Sequence, residues 1–242
     1  MTPVKSLIID TDCGVDDAEA LLLALSTPNL RLLGITCVAV QASLFNITAH
    51  RPGRLPRPRR LRRHCSGAPG GSGPGGASAS LVGGDGEEAL GPLTNIALAS
   101  RICPQFLPRL AKLQFMGGNI YGKGNITPSA EFNVASDPEA AQTVLNSMQG
   151  SLLHLMPWET CMESCIPWDE FDAMLGASGS RTPFFRRLLK NWIAMKRRSH
   201  AGYFSSDLLA MMAAIGESSV LKIQDAFMAV ELGGHLTRGI RY

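Results

Sequence analysis

Between Leu7 and Asp17 the chain reads LIIDTDCGVDD, a short apolar run followed by four carboxylates, Asp10, Asp12, Asp16 and Asp17. Leu7-Ile8-Ile9 has the character of a buried strand, and the apolar stretch from Ala18 to Leu25 has that of a helix. A strand that ends in acids and turns at once into a helix is where open parallel α/β sheets place their ligand sites. Helix N-termini favour one or two acids, so Asp16 and Asp17 alone would need no further cause. Four carboxylates in eight residues do need one, because they repel one another strongly unless a cation sits among them. Hard ions such as Ca2+ or Mg2+ prefer such oxygen ligands. Gly14 stands between the two pairs, where it would let the backbone turn tightly so that they converge.

The rest of the chain extends this beginning. Val4 to Ile9 is the first predicted strand and Asp16 to Ser26 the first helix, with Leu21, Leu22 and Leu25 on its inner face. Arg31 to Ala39, RLLGITCVA, is nearly all apolar, as in strands buried on both faces of a parallel sheet. Strand, helix and strand in so short a span make a βαβ unit. ALGPLTNIALAS predicts a turn and then a helix capped by Thr94 or Asn95, and Leu113 to Met116 a short strand. Gly117 to Asp137 is a long polar loop, and Asp137-Pro138 supplies the cap and first turn of a helix. Ser151 to Met156 predicts a strand, while Trp168 to Leu175, Pro183 to Met195 and Ser206 to Ile215 predict helices. Leu221 to Leu232 is apolar enough for a strand or hairpin. The expectation is an α/β fold, a mostly parallel open sheet flanked by helices, formed by a single domain over residues 1–242.

One segment breaks the pattern. Seven arginines and no acid fall between Arg51 and Arg63, followed by the run SGAPGGSGPGGASAS. Residues 42–88 therefore read as a low-complexity insert, disordered or aberrant, because they offer too little apolar surface to offset their ordering entropy. The net charge of +3 belongs to this tract, since taking away its seven arginines leaves −4. Basic runs bind phosphate without specificity, but this one lacks interleaved aromatics, and a nucleic-acid partner is not expected. The six cysteines show no zinc-like pairing and read as reduced thiols. The N-terminus has no secretory pattern, and no apolar run approaches the roughly 20 residues of a membrane span. The expectation is a cytoplasmic protein with no membrane partner.

Several separated motifs, in order, resemble the inosine-uridine preferring nucleoside hydrolase family: DTDCGVDD, GITCVA, GPLTNIALA, MGGN, GNITPSAEFNV, DPEAA, SDLLA and GGHLTRG. The resemblance covers roughly two thirds of the chain and rests on the ordered set more than on any single motif. It implies a ribonucleoside N-hydrolase with bound Ca2+, acting on a small-molecule ribonucleoside and commonly forming a homo-oligomer. By resemblance the metal ligands are Asp12, Asp17, a main-chain carbonyl at Thr94, and Asp207. Asp12 is also the implied catalytic base, taking a proton from the water that attacks the anomeric carbon. Asp16, Asn125, Glu131 and Asn133 match residues that bind ribose hydroxyls, and Asp10 supports the loop.

The chain also departs from the family pattern. Val40-Gln41 stands where the family has Gly-Asn, and the Arg/Pro/Gly tract occupies the place of a helix, a strand and an HG-type segment. Ser206 replaces the family's histidine before the late aspartate, and serine cannot protonate a purine at neutral pH. The TRG-like motif also falls nearer the end of this chain than in the family. Two functions follow: a Ca2+-dependent hydrolase of purine or pyrimidine ribonucleosides, or a catalytically impaired member acting as a metal-binding scaffold or aberrant isoform.

Overall fold

The structure of the protein, a computed structural model, describes residues 4–39, 85–148, 153–176, 182–216, 220 and 222–240. β1 (Lys5–Thr11), α1 (Val15–Ser26) and β2 (Leu30–Cys37) form the expected βαβ unit, with the two strands parallel. β1 runs two residues past Ile9, so Asp10 lies opposite Thr36 and Thr11 opposite Cys37 in the ladder. β3 (Asp85–Ala89), α2 (Thr94–Ile102), α3 (Phe106–Arg109) and β4 (Lys112–Met116) follow. Next come α4 (Phe132–Ser136), α5 (Pro138–Ser147) and β5 (Leu153–Met156). The five strands are all parallel, in the order β2-β1-β3-β4-β5. From β1 the chain passes to β2 on one side, then to β3 on the other. That reversal puts a switch point beyond the C-terminal ends of β1 and β3, the place where such sheets bind ligands.

Helices cover both faces. Ile96, Ala97, Ala140, Ala141 and Val144 of α2 and α5 pack with Leu113 and Phe115 of β4. On the opposite face Ala20 and Ala24 of α1 and Ala210 and Met211 of α9 (Ser206–Ile215) pack on Leu7 and Ile9 of β1. The inner face of α1 is thus Asp17, Ala20 and Ala24, at helical spacing, and Leu25 is 66% exposed instead of inward. Small alanines on that face let α1 and α9 approach closely. α6 (Trp158–Glu163), β6 (Ile166–Pro167), α7 (Trp168–Gly176), α8 (Thr182–Ser199) and β7 (Gly202–Tyr203) build a side unit. Its core stacks Phe171 on Tyr203 with Leu189 beside them. No helix among the described residues is long and apolar enough to cross a membrane.

The sequence expectations need correction in four places. β2 is the sheet edge among the described residues and only partly covered, with Ile35 half exposed, not buried on both faces. Residues 85–88, read as part of the insert, belong to the sheet, because DGEEA forms a strand at its centre despite its acids. Thr94 and Asn95 do not cap α2; Leu93 is the capping residue, and both polar side chains reach other elements. The segment 222–232 is irregular instead of a strand or hairpin. Most of the Arg/Pro/Gly tract, 42–84, lies outside the described residues, as do Val40 and Gln41.

Glu88 is the clearest local conflict in the sheet. It is fully buried in β3, and neither carboxylate oxygen has a hydrogen-bond partner among the described residues. Burial pushes its carboxyl well above the usual range, so it is held as the neutral acid. Leaving a buried polar group unsatisfied costs about 1–3 kcal/mol. Glu88→Leu, of similar volume, should therefore stabilise the protein by about 1–3 kcal/mol, read as a higher urea midpoint at unchanged slope. A lower midpoint would show that Glu88 serves the fold through its polarity.

Candidate active site

The loop from β1 to α1 is folded around Asp17. Thr11 donates its hydroxyl to Asp17 Oδ1, and the Gly14 N–H donates to Asp17 Oδ2 at 2.9 Å. The Cys13 N–H donates to Thr11 Oγ1 at 3.0 Å, closing a chain of bonds through the loop. Cys13, not Gly14, takes the left-handed conformation, with φ 64° against −66° for Gly14. Glycine is needed at 14 for space: a Cβ there would lie 3.0 Å from oxygens of both Asp16 and Asp17. Gly91, in the turn after β3, is constrained in the same way, since its Cβ would sit 3.1 Å from the Asp12 backbone nitrogen and Cβ. That turn is pressed against Asp12.

α9 brings the late aspartate to this loop. One carboxylate oxygen from each of Asp16, Asp17 and Asp207 lies within 4.8 Å of the others. Asp17 and Asp207 are buried, and Ser206 donates its hydroxyl to Asp16 at 3.0 Å. Burial, then the charges of Asp16, Asp17 and Asp12, push the Asp207 carboxyl well above its ordinary range. Asp12 is pushed up to about 8 by burial, by hydrogen bonding to Asp17, and by the charges of Asp17 and Asp16. Burial, then the Asp17 charge, raises Asp16 also. Acids with such mutual repulsion hold protons when no cation is present and present a set of hard oxygen donors when one is. The donor chemistry therefore fits a divalent ion. Asp12 stands beside this set, coupled to it through Asp17, and is not within its tightest group.

The remaining predicted residues serve the frame. Asp10 is fully buried and accepts from Thr36 Oγ1 at 2.5 Å and Asn95 Nδ2 at 2.9 Å, tying β1 to β2 and α2. Thr94 opens α2 at the same end of the sheet, and its hydroxyl donates to Asp137 at 2.6 Å. Asn125 is exposed, and its Oδ1 accepts from the Phe132 N–H at 2.8 Å. Glu131 caps α4, accepting from the Asn133 and Val134 N–H groups, and takes the Gly118 N–H at 2.7 Å. Burial lifts its carboxyl to about 7 against those bonds. Asn133 donates both amide hydrogens, to Leu90 O and Met116 O at 2.9 Å each, and so bridges the ends of β3 and β4.

Lys196 was not legible from the sequence, where it sits in a basic run, KRR, that reads as a solvated helix end. It is 5% exposed, with its amino group 3.5 Å from the Phe204 ring centroid and 4.8 Å from that of Trp192. Burial lowers its pKa, while the negative charges of Asp16, Glu19 and Asp207 oppose that shift. Glu19, also buried, accepts from the Tyr203 hydroxyl at 2.7 Å. Glu159 accepts the Ile120 and Tyr121 N–H groups and so fixes the polar loop after β4. The amphipathic spacing of α8, which puts residues 189, 192, 193 and 196 on one face, was the one available signal for Lys196.

Comparison with known proteins gives a consistent placement. A family model described as inosine-uridine preferring nucleoside hydrolase matches residues 7–51 and 88–241, well over half of the chain. The pyrimidine-specific ribonucleoside hydrolase RihB of Escherichia coli (strain SE11) is 35% identical over 178 residues, which cover 59% of this chain and 56% of that protein. The chain thus spans little more than half the length of these curated relatives. Among solved structures, an inosine-guanosine nucleoside hydrolase superposes with a TM-score of 0.74 at 27% identity, covering 98% of this chain and 87% of the other. A plant nucleoside hydrolase, PpNRh1, superposes at 0.78 with 20% identity, covering 99% and 86%, a likeness of fold alone. With the acid-ended first strand and the sheet order already described, these matches establish that the chain belongs to the inosine-uridine preferring nucleoside hydrolase family.

Proposed function

We propose that the protein is a Ca2+-dependent ribonucleoside hydrolase that cleaves the N-glycosidic bond to give ribose and free base. The observation that carries this reading is the convergence of Asp16 with the buried Asp17 and Asp207, from two elements 190 residues apart in sequence, at the switch point of the sheet. In this reading Asp12, Asp17, Asp207 and the Thr94 main-chain carbonyl hold the ion. A bound divalent ion supplies an acidified water at neutral pH. Asp12 accepts the proton of the attacking water, and Asp16 helps hold the ribose. Nearby carboxylates favour the positive charge that develops on the sugar as the bond to the base breaks.

The ribose-facing roles of Glu131 and Asn133 follow from what their other bonds leave over. Both amide hydrogens of Asn133 are used by main-chain carbonyls, which leaves its Oδ1 as an acceptor. Glu131 Oε1 takes one N–H and keeps capacity for a second donor. Ribose hydroxyls are donors of the required kind, and Asn125 at the loop adds an amide. Ser206 donates to Asp16 and offers no acid for the leaving base, so a base that departs without strong protonation is favoured. Pyrimidine specificity, as the E. coli relative is named for, agrees with that preference. The second reading, a metal-binding member without turnover, draws support from the two glutamates buried in the central strand, where a parallel sheet normally carries apolar residues.

Two measurements test the proposal. Purified protein with Ca2+ should release base from uridine faster than from inosine, and Asp12→Asn should lower that release by roughly 10²–10⁴-fold, the range of general base catalysis. Release no faster than in the variant would favour the second reading. The other measurement is pH-dependent stability. Raised acids keep protons in the folded protein that the unfolded chain has lost, so metal-free stability falls as pH rises from about 4 through the Asp12 value of about 8. Calcium replaces those protons, and its stabilisation should grow over the same window. At a hundredfold excess over Kd it is worth about 2.7 kcal/mol, or roughly 5–10 °C in Tm for a chain this size. The shift should be larger at pH 8 than at pH 5, and an equal shift at both would contradict a site built on raised carboxyls.

A further inference from the structure

We propose that Cys13 and Cys37 are a redox-sensitive thiol pair that closes to a disulfide at the edge of the metal loop. Their Sγ atoms lie 3.2 Å apart, and both residues are exposed free cysteines. The approach is set by backbone, not by chance side-chain rotation. Thr11 and Cys37 are partners in the parallel ladder, and the Val38 N–H donates to Thr11 O at 2.9 Å, so the end of β2 is fixed beside the start of the loop. Cys13 is held in its left-handed turn by its N–H bond to Thr11 Oγ1. A disulfide needs an S–S distance of about 2.05 Å, so closure from 3.2 Å asks for a sulfur movement of only about 1 Å.

The oxidant is a small-molecule disulfide. The thiolate of one cysteine attacks a sulfur of that disulfide, forming a mixed disulfide and expelling one small thiolate. The second cysteine's thiolate attacks the protein sulfur of the mixed disulfide and expels the other. Two protein thiols become one disulfide, one small disulfide becomes two thiols, and the two cysteine protons end on the released thiols. Hydrogen bonding to Cys13, then burial, holds the Cys37 thiol up, at about 11, so exchange is run in mildly alkaline buffer.

Closure also acts on the neighbouring acids, a consequence that rests on the proposed metal role. Cys13 lies between Asp12 and Gly14, and its N–H is bonded through Thr11 to Asp17. Drawing Cys13 toward β2 pulls on Asp12 and on that chain of bonds. Losing a bond that orients a metal ligand weakens affinity by about 10–100-fold, so the disulfide form should bind Ca2+ at least about tenfold more weakly.

Whole protein is treated with oxidised glutathione, alkylated, digested and mapped by mass spectrometry. The expected product is a Cys13–Cys37 cross-linked peptide, reversed by dithiothreitol, while Cys37→Ser stops at a glutathione adduct on Cys13. Persistence of both cysteines as alkylated thiols, or only as glutathione adducts, would overturn the pair. Ca2+ titration of the reduced and oxidised protein reads the consequence: equal affinities would overturn the coupling. Absence of Ca2+ binding to the reduced form would count against the metal site alone, because the peptide map does not depend on it.

Discussion

Mutual repulsion among carboxylates at the end of β1 is the constraint on which the rest of this molecule depends. Asp12, Asp16, Asp17 and Asp207 meet at one end of the sheet, where burial and then the charges of neighbouring carboxylates raise Asp12, Asp16 and Asp207. No folded protein keeps such a group fully ionised without a compensating charge. The loop answers part of that demand through donors: Thr11 and the Gly14 N–H for Asp17, and Ser206 for Asp16. The buried ammonium of Lys196 supplies further positive charge nearby. The rest is answered by protons or by a cation, which makes the site sensitive to both.

The sheet order explains why these acids meet. β1 lies between β2 and β3, so its C-terminal end faces the gap left when the chain changes direction. α1 leaves that gap directly, and α9 packs along α1 through Ala20, Ala24, Ala210 and Met211. An aspartate in the first turn of α9 is thereby delivered to aspartates in the first turn of α1. Asp10 and Asn133 fix the floor of the same region, the first by tying β1 to β2 and α2, the second by bridging β3 and β4. Asn133, expected to serve a substrate, thus also joins the ends of β3 and β4.

The parallel fold was legible because it rests on local pattern. The apolar β1 and β4, the helix start at Asp137-Pro138 and the acidic loop all carry short-range signals. β3 was not legible, since Gly86, Glu87 and Glu88 lack the apolar character of a central strand, and only the tertiary frame places them there. The inner face of α1 matches the expectation only in part: Leu21 packs against the core, but Leu25 is exposed and the fully buried apolar residues are Ala20 and Ala24, since close helix packing favours the smaller residue. At the site, the ordered motifs implied Asp12, Asp17 and Asp207 as metal ligands with Asp16 on ribose, whereas the three carboxylates that lie within 4.8 Å of one another are Asp16, Asp17 and Asp207. The place of Lys196 beside Phe204 and the Cys13–Cys37 contact depend on approach between distant segments; the spacing of α8 marks only the face on which Lys196 lies, and no spacing announces the cysteine contact.

The central claim is that the acid cluster holds one divalent cation. Titration calorimetry of the metal-free protein with Ca2+ near pH 8 tests it most directly. The account predicts saturable binding of about one ion per chain, with protons released on binding and binding lost in Asp207→Asn. Absence of saturable binding, or binding that survives Asp207→Asn unchanged, would contradict it.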